Sequence, residues 1–332
     1  MKKLDALRVW GRVLRGHSPF LSLEITKECP LQCPGCYAYT DEHIGPLITL
    51  RQLSDYRGQE LVAATIAVVR RLRPVHISIV GGEPLVRYRE LSELLPLLDR
   101  MGVEVQLVTS AVRPIPEEWK ALRSLHLAVS IDGLAPEHDR RRAPATYDRI
   151  LKHIAPHRVI VHCTVTRQMT ARSGYLADFS RFWSDRPEVR KIWFSIYTPQ
   201  EGDNSPERLQ PRDREVLIEE LSAVSAQFPK VHLPRLVLDG FRQPPRSPQE
   251  CTFARLTTCL SADLKTLVTP CQFGGKPVCA ECGCLASAGM HAVAGIKLGG
   301  FLPVSAILNA SLRRDPRARH LQDALEASTA AD

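Results

Sequence analysis

The sequence predicts an α/β fold in which six β/α units form a partial barrel, followed by a small cysteine-rich extension. Short apolar segments alternate with helical ones up to residue 197, and this alternation then stops in a proline-rich stretch. Six of the ten cysteines fall within residues 251–284. Apolar residues make up 44% of the 332 residues and charged residues 24%, a composition that argues against disorder or a membrane bundle.

The predicted elements alternate along the chain. Strands are predicted at residues 20–26, 75–80, 103–108, 125–131, 159–166 and 191–197, with helices at 50–73, 89–101, 117–123 and 147–154. Strands separated by such helices are typical of parallel sheets, and six units can curl into an open barrel. One further helix ends near Phe228, and residues 264–269 are predicted to form a hairpin strand that leads to Cys271.

We expect four regions along the chain. They are a basic amphipathic helix at residues 1–17, the barrel at 18–198, a helix with a proline-rich linker at 199–250, and a cysteine-rich module with an apolar tail at 251–332. The first and last regions suit a peripheral contact with an anionic membrane surface. The alternative for the first region is a helix that closes the bottom of the barrel.

Charge and targeting signals narrow the class of protein. The N-terminus lacks the apolar core of a signal peptide, so we expect a cytoplasmic protein whose thiols are reduced. The net charge of +8 permits an anionic partner. No nucleic acid is expected, because the sequence has no stripe of alternating basic and aromatic residues.

Three cysteines, Cys29, Cys33 and Cys36, lie directly after the first predicted strand. Three thiols within eight residues indicate a metal site, because crowded free thiolates repel one another and oxidise. Structural zinc needs a fourth ligand, for which His43 is the nearest candidate. A [4Fe-4S] cluster with three cysteines would instead leave one iron open to an external ligand, so both metals stay open at this point.

A second motif, Gly81-Gly82-Glu83-Pro84, follows the second predicted strand. Two glycines allow a ligand to approach the bare backbone, and Pro84 fixes the turn that ends the strand. By itself, this motif is explained equally well as an ordinary strand-ending turn.

Together the two motifs, with Tyr37 after the third cysteine, resemble the radical S-adenosylmethionine (SAM) superfamily. The resemblance implies that the three cysteines hold three irons of a [4Fe-4S] cluster, while the amino and carboxylate groups of SAM bind the fourth. Ser130-Ile131-Asp132-Gly133 and Arg142 are similar to the segment that holds the ribose and carboxylate of SAM. The implied cofactor-binding residues are Tyr37, Gly81, Gly82, Glu83, Pro84, Thr109, Ser130, Asp132 and Arg142.

The C-terminal cysteines resemble the extensions that carry an auxiliary iron–sulfur cluster in this superfamily, of the SPASM or twitch type. Cys259, Cys271, Cys279 and Cys282 are the expected ligands, with Cys251 and Cys284 as alternates. Zinc remains the alternative metal, because paired cysteines serve it equally well. A lone cysteine, Cys163, and the strand residues His76, His162 and Trp193 are expected to be ordinary packed residues.

The resemblance implies reductive cleavage of SAM to a 5′-deoxyadenosyl radical, with a flavodoxin or ferredoxin as electron donor. The radical would abstract hydrogen from the substrate or add to it. A lipid or isoprenoid substrate is expected, because the layout looks like the hopanoid adenosyl-transferring branch. Peptide-modifying maturases are the main alternative, and a noncatalytic zinc or iron–sulfur electron-transfer protein is the alternative from another class.

Overall fold

The computed structural model describes residues 11, 15, 18–40, 42–45, 48–295, 297–298 and 302–304. The helix predicted at residues 1–17 therefore lies, except for two single positions, outside the described residues. Most of the apolar tail beyond residue 295 also lies outside them.

A seven-stranded, fully parallel sheet forms the centre of the fold, with strand order β6-β5-β4-β3-β2-β1-β7. The predicted α/β class, the partial barrel and all six predicted strands are confirmed. A seventh strand, β7, was not predicted; it pairs with β1 and places Cys259 level with Ser22. The strands are β1 Phe20–Glu24, β2 His76–Val80, β3 Glu104–Thr109, β4 Leu125–Ser130, β5 Val159–Val165, β6 Val189–Ile196 and β7 Thr257–Leu260, and the short antiparallel pair is β8 Lys297–Leu298 and β9 Leu302–Pro303.

Helices cover one face of the sheet. Alternate strand residues such as Leu23, Ile79 and Leu107 are fully buried in one core with helix residues such as Leu61 and Leu94. The helices are α1 Gly58–Leu72, α2 Tyr88–Arg100, α3 Ala135–Arg142, α4 Tyr147–Ile154, α5 Arg167–Thr170, α6 Tyr175–Ser184, α7 Pro211–Gln227, α8 Arg235–Arg242, α9 Thr252–Leu256 and α10 Leu285–Gly295.

Three predicted elements were wrong in detail. The helix predicted at residues 50–73 is a short 3-10 turn, Leu50–Gln52, followed by a break before α1. In the break, Asp55 accepts hydrogen bonds from Thr26 and Lys27 in the loop after β1. Gly58, the first residue of α1, has a left-handed φ of +53°, which glycine adopts readily. The helix predicted at 117–123 is a 3-10 helix, Glu117–Ala121.

The predicted strand at residues 264–269 is instead the return of a tight turn. It makes a single antiparallel bridge, from Leu267 to Leu260. The carboxylate of Asp263 organises the turn by accepting hydrogen bonds from the backbone N–H groups of Lys265 and Thr266. A side chain that satisfies the backbone locally competes with strand pairing, which explains the difference.

The segment 271–284 follows β7, at one edge of the sheet, and reaches β6, at the other edge. Near β6, Ile196 N–H donates to the carbonyl oxygen of Gly283 at 2.9 Å, and Val278 N–H donates to that of Pro199 at 2.9 Å. Helix α10 then packs against α8. No helix in the described part of the chain is long and apolar enough to cross a lipid bilayer.

Candidate active site at the carboxyl edge of the sheet

The cysteine loop lies directly after β1, at the carboxyl edge of the sheet. Two bonds hold it there: Thr26 Oγ1 donates to Asp55 Oδ2 at 2.9 Å, and Tyr39 Oη donates to the Lys27 carbonyl at 2.9 Å. The thiols of Cys29, Cys33 and Cys36 are close enough to repel one another as thiolates. Burial raises the pKa of Cys29 to about 11 and also raises the pKa values of Cys33 and Cys36.

The Gly-Gly loop after β2 packs directly against the cysteine loop. Gly82 N–H donates to the Thr26 carbonyl, and Glu83 N–H to the Glu28 carbonyl, both at 2.8 Å. A Cβ on Gly82 would collide with the Glu28 carbonyl oxygen and lie 2.6 Å from Tyr39 Oη. Glycine is therefore required at position 82 by the close approach of two backbones, irrespective of any ligand.

Glu83 joins the ends of β2 and β3. Its buried carboxylate accepts hydrogen bonds from Thr109 Oγ1 at 2.5 Å, from the N–H and Oγ of Ser110 at 2.8 and 2.5 Å, and from Leu85 N–H at 3.0 Å. The structure thus brings together Glu83 and Thr109, which sequence analysis assigned to the same cofactor site. It adds Ser110 as the main partner of Glu83.

Asp132, after β4, is held by two arginines from α3. Its Oδ2 accepts from Arg142 Nε at 2.7 Å and from Arg141 Nε at 3.1 Å. Burial favours the neutral acid, but the guanidinium groups of Arg142 and Arg141 outweigh it and lower the pKa of Asp132 well below its usual value. Asp132 and Arg142, which were expected to contact different groups of SAM, are therefore directly paired in the structure.

Arg141 is a residue that sequence analysis missed. Besides Asp132, it bonds the carbonyl oxygen of Pro34 at 3.0 Å through Nη2 and forms an ion pair with Glu207. Pro34 lies between two cysteines of the loop, so Arg141 ties that loop to the end of β4. The sequence gives no signal that distinguishes Arg141 from Arg140, which is exposed on the same helix.

Arg87 is a second residue that sequence analysis missed. It is buried beneath the cysteine loop, and its guanidinium bonds Glu28 and Asp55 at 3.0 Å each. These three residues come from separate segments of the chain, and no local pattern in the sequence connects them. Their ion pairs fix the start of the cysteine loop against the break before α1.

His43 is not available as a fourth metal ligand. Its Nε2 bonds Glu24 Oε1 at 2.6 Å, and its Nδ1 bonds the Phe273 carbonyl at 3.0 Å. The ring is completely buried and packs against Tyr37, with ring centroids 5.7 Å apart. His43 therefore connects the cysteine loop to the C-terminal cysteine segment.

Five C-terminal cysteines line one cavity, together with several prolines, Phe253 and Phe273; they are Cys251, Cys271, Cys279, Cys282 and Cys284. Cys251, an alternate in the sequence analysis, lies close to Cys271, Cys279, Cys282 and Cys284. Cys259 does not line this cavity, although it lies nearby on β7, close to Glu24, Cys251, Cys271 and Cys284.

Residues 23–156, which include the cysteine loop, the Gly-Gly loop and Asp132, match the family model described as the Radical SAM superfamily. This segment of the chain is a Radical SAM superfamily domain. The match includes the α3 residues that hold Asp132, but β5 to β7 and all of the C-terminal cysteines lie outside it.

Two curated relatives are similar to this chain over limited segments. A 7-carboxy-7-deazaguanine synthase of Hyperthermus butylicus is 33% identical over 105 residues, which is 31% of this chain and 39% of that protein. A PqqA peptide cyclase of Xanthomonas oryzae is 31% identical over 117 residues, which is 34% of this chain and 29% of that protein. The chain thus matches well under half the length of these curated relatives.

Two solved structures share the fold. Streptococcus suis SuiB bound to precursor peptide SuiA aligns with a TM-score of 0.57 and 14% identity, over 82% of this chain and 63% of that chain. Native anSMEcpe with bound AdoMet aligns with a TM-score of 0.54 and 17% identity, over 76% of this chain and 75% of that chain. At these identities the comparison shows the fold alone.

The residues of the carboxyl edge fit the [4Fe-4S] cluster and SAM that radical SAM enzymes use. Three thiols whose pKa values are raised by burial need a cationic partner to become thiolates, and cluster irons supply it. Within the described residues, no group of three His, Cys, Asp or Glu side chains is arranged around a single metal ion. A cluster spreads its ligands over several irons, so its thiols need not meet at one point.

Proposed function

We propose that this chain is a radical SAM enzyme that binds a [4Fe-4S] cluster through Cys29, Cys33 and Cys36. It binds SAM along the carboxyl edge of the sheet and reductively cleaves it. One observation carries the proposal: the three thiols, Glu83 and Asp132 lie at one edge, and hydrogen bonds and ion pairs join the segments that carry them. Strand ends of a parallel barrel are the usual place for an active site.

A cluster held by Cys29, Cys33 and Cys36 would supply the one-electron reduction by which SAM is cleaved to methionine and a 5′-deoxyadenosyl radical. The electron comes from a flavodoxin or ferredoxin type of donor. Gly81, Gly82, Glu83 and Pro84 form the wall beside the methionine amino group, with Glu83 held in place by Thr109 and Ser110. Preorganised acceptors of this kind stabilise an ammonium group without reorganising.

Ser130 and Asp132 are proposed to face the ribose, and Tyr37 to border the nucleoside. Arg142 keeps Asp132 ionised and has its two Nη groups left for the SAM carboxylate, since Nε already bonds Asp132. Arg141 acts as a positioning residue, because it holds the loop carbonyl of Pro34 rather than any ligand.

The C-terminal cavity is proposed to hold an auxiliary iron–sulfur cluster. The sequence-based set was Cys259, Cys271, Cys279 and Cys282. The cavity supports exchanging Cys259 for Cys251, since Cys251 lines it with Cys271, Cys279, Cys282 and Cys284. Zinc is the alternative metal, and metal analysis of the loaded protein separates the two.

The reaction type and the substrate are separate proposals. Hydrogen abstraction and adenosyl transfer both fit the site. The substrate was expected to be a lipid or isoprenoid, with a peptide as the alternative. One relative is named a PqqA peptide cyclase, and this supports the peptide alternative.

The test is anaerobic reconstitution followed by a SAM cleavage assay. Wild-type protein is expected to bind iron and sulfide and, with dithionite, to convert SAM to 5′-deoxyadenosine, measured by mass spectrometry. Replacing Cys29, Cys33 and Cys36 together by alanine should abolish cleavage, whereas Cys163→Ala on the helix-covered face of β5 should retain it. A loaded cluster with no 5′-deoxyadenosine would leave the noncatalytic scaffold as the better explanation.

A further inference from the structure

The two faces of the sheet differ sharply in polarity. The face under the helices consists of fully buried aliphatic residues such as Leu23, Ile79 and Leu107. The opposite face, which lines the barrel interior, carries mainly polar and charged side chains, with a few apolar ones such as Val108 and Ile160. Its half-buried polar members include Ser78, Gln106, His162, Thr164 and Trp193.

These inner-face residues form neighbouring cross-strand pairs. Ser78 on β2 lies level with Gln106 on β3, and His162 on β5 lies level with Trp193 on β6. Thr164 is two residues after His162 and therefore points to the same face. Polar groups thus border the interior from at least four strands, beneath the edge that carries the proposed SAM site.

Most of these polar side chains have no protein partner. Within the described residues, the side chains of Ser78, Gln106, Thr164 and Trp193 make no hydrogen bond. They are also absent from the buried atoms that lack a partner, so each can reach water or a ligand. His162 uses Nε2 for Ser195 Oγ at 2.8 Å, and no described residue bonds its Nδ1.

A hydrocarbon ligand in this interior would remove water from those groups and leave their donors and acceptors unsatisfied. A ligand with amide or hydroxyl groups would replace the water with hydrogen bonds. We propose that the substrate is a polar, hydrogen-bonding molecule held by Gln106, Thr164, Trp193 and His162, and is not a lipid. That the bound molecule is the substrate of a radical reaction rests on the proposed function. That a polar molecule binds at these residues does not.

The first test needs no catalysis. The probe is 5-doxyl-stearate, a fatty acid whose nitroxide quenches tryptophan fluorescence at short range. Trp119 and Trp183 are buried, whereas Trp193 is half-buried on the inner face. We expect the probe to cause no saturable quenching of Trp193, so the wild-type protein and Trp193→Phe should respond to it alike. Saturable quenching of Trp193 by this probe would overturn the proposal, whatever the outcome of the SAM cleavage assay.

The second test identifies the class of substrate by hydrogen transfer. An extract of the source organism grown in deuterated medium is divided into peptides, polar small molecules and lipids, and each fraction is incubated with loaded enzyme and SAM. We expect deuterium in 5′-deoxyadenosine with a water-soluble fraction; the peptide and small-molecule arms distinguish the two sources. The proposal would be contradicted if only the lipid fraction transferred deuterium. It would also be contradicted if 5′-deoxyadenosine formed but carried no deuterium from any fraction.

Variants connect that transfer to the inner face. Gln106→Leu and Thr164→Val keep the side-chain volume and remove the hydrogen-bonding group. Each should lower the deuterium per 5′-deoxyadenosine about tenfold, the loss expected for one hydrogen bond to a ligand. Thr258→Val is the matched control, because Thr258 lies level with Leu21 and shares its face of the sheet, under the helices. Equal transfer by all three variants and wild type would overturn the assignment.

Discussion

His43 and Glu24 form a buried hydrogen bond of 2.6 Å, and each of them also bonds the C-terminal part of the chain that carries the second group of cysteines. Glu24 also accepts from Ser261 Oγ at 2.7 Å, at the end of β7, and His43 also bonds the carbonyl of Phe273. A Cβ on Gly274 would collide with the His43 carbonyl oxygen, so the two segments touch through backbone. The two cysteine sites are thus parts of one structural unit.

Replacing His43 by alanine should destabilise the protein by about 3 kcal/mol, because it leaves the buried Glu24 carboxylate without its closest partner. Urea denaturation followed by circular dichroism measures the change. Arg57→Ala is the control: Arg57 also pairs with a glutamate, but its side chain is 64% exposed, so the expected loss is about 1 kcal/mol or less. Equal losses of stability in both variants would show that the buried bond contributes no more to stability than an exposed ion pair.

Gly82→Ala should prevent the Gly-Gly loop from docking on the cysteine loop, because its Cβ would collide with the Glu28 carbonyl oxygen. We expect loss of most bound iron after reconstitution and destabilisation by about 2 kcal/mol or more. Gly289→Ala is the control, since nothing lies within 4 Å of a Cβ at that position of α10. It should retain iron and gain about 0.5–1 kcal/mol in stability.

Arg141→Met should raise the Kd for SAM about tenfold, because the Cys33–Cys36 loop loses its bond at Pro34 and Asp132 loses one of two cations. Isothermal titration calorimetry with loaded, unreduced protein measures this without turnover. Arg140→Met changes the adjacent, exposed arginine and should leave the Kd unchanged. If both variants bind SAM equally well, Arg141 has no positioning role.

Cys251→Ala should remove the auxiliary cluster more completely than Cys259→Ala, because Cys251 lines the cavity and Cys259 does not. Iron analysis and electron paramagnetic resonance are best made in a background with Cys29, Cys33 and Cys36 replaced, where auxiliary iron is the only cluster iron expected. Full iron content in Cys251→Ala, with loss in Cys259→Ala, would restore the sequence-based ligand set.

Stability should fall as the pH falls from about 6.5 to about 4, in part because of His138. Burial, with Arg142 nearby, lowers the pKa of His138 to about 4. Its Nδ1 accepts from Asp132 N–H at 3.0 Å, and protonation would break that bond. Between these pH values His138 is protonated in the unfolded chain but not in the folded chain, so the free energy of unfolding decreases as the pH falls.

The measurement is the free energy of unfolding at pH 7.5 and pH 5 for wild type and His138→Gln. The variant starts less stable, but the difference between the two pH values should be smaller, because glutamine does not titrate. An unchanged pH dependence would mean that His138 titrates alike in the folded and unfolded states.

The sequence by itself determined the first six strands, their parallel arrangement and the motif residues that follow them. These features depend on local periodicity and short spacing, which a linear chain displays directly. The helix break at Asp55, the joining of β7 to β1, the roles of Arg87 and Arg141, and the position of Cys251 were decided only by the tertiary structure. Each depends on partners that are far apart in the chain, such as Thr26 with Asp55, or Arg141 with Pro34 and Glu207. Whether a polar side chain bonds another protein group or stays available to a ligand depends on which distant residues the fold places beside it.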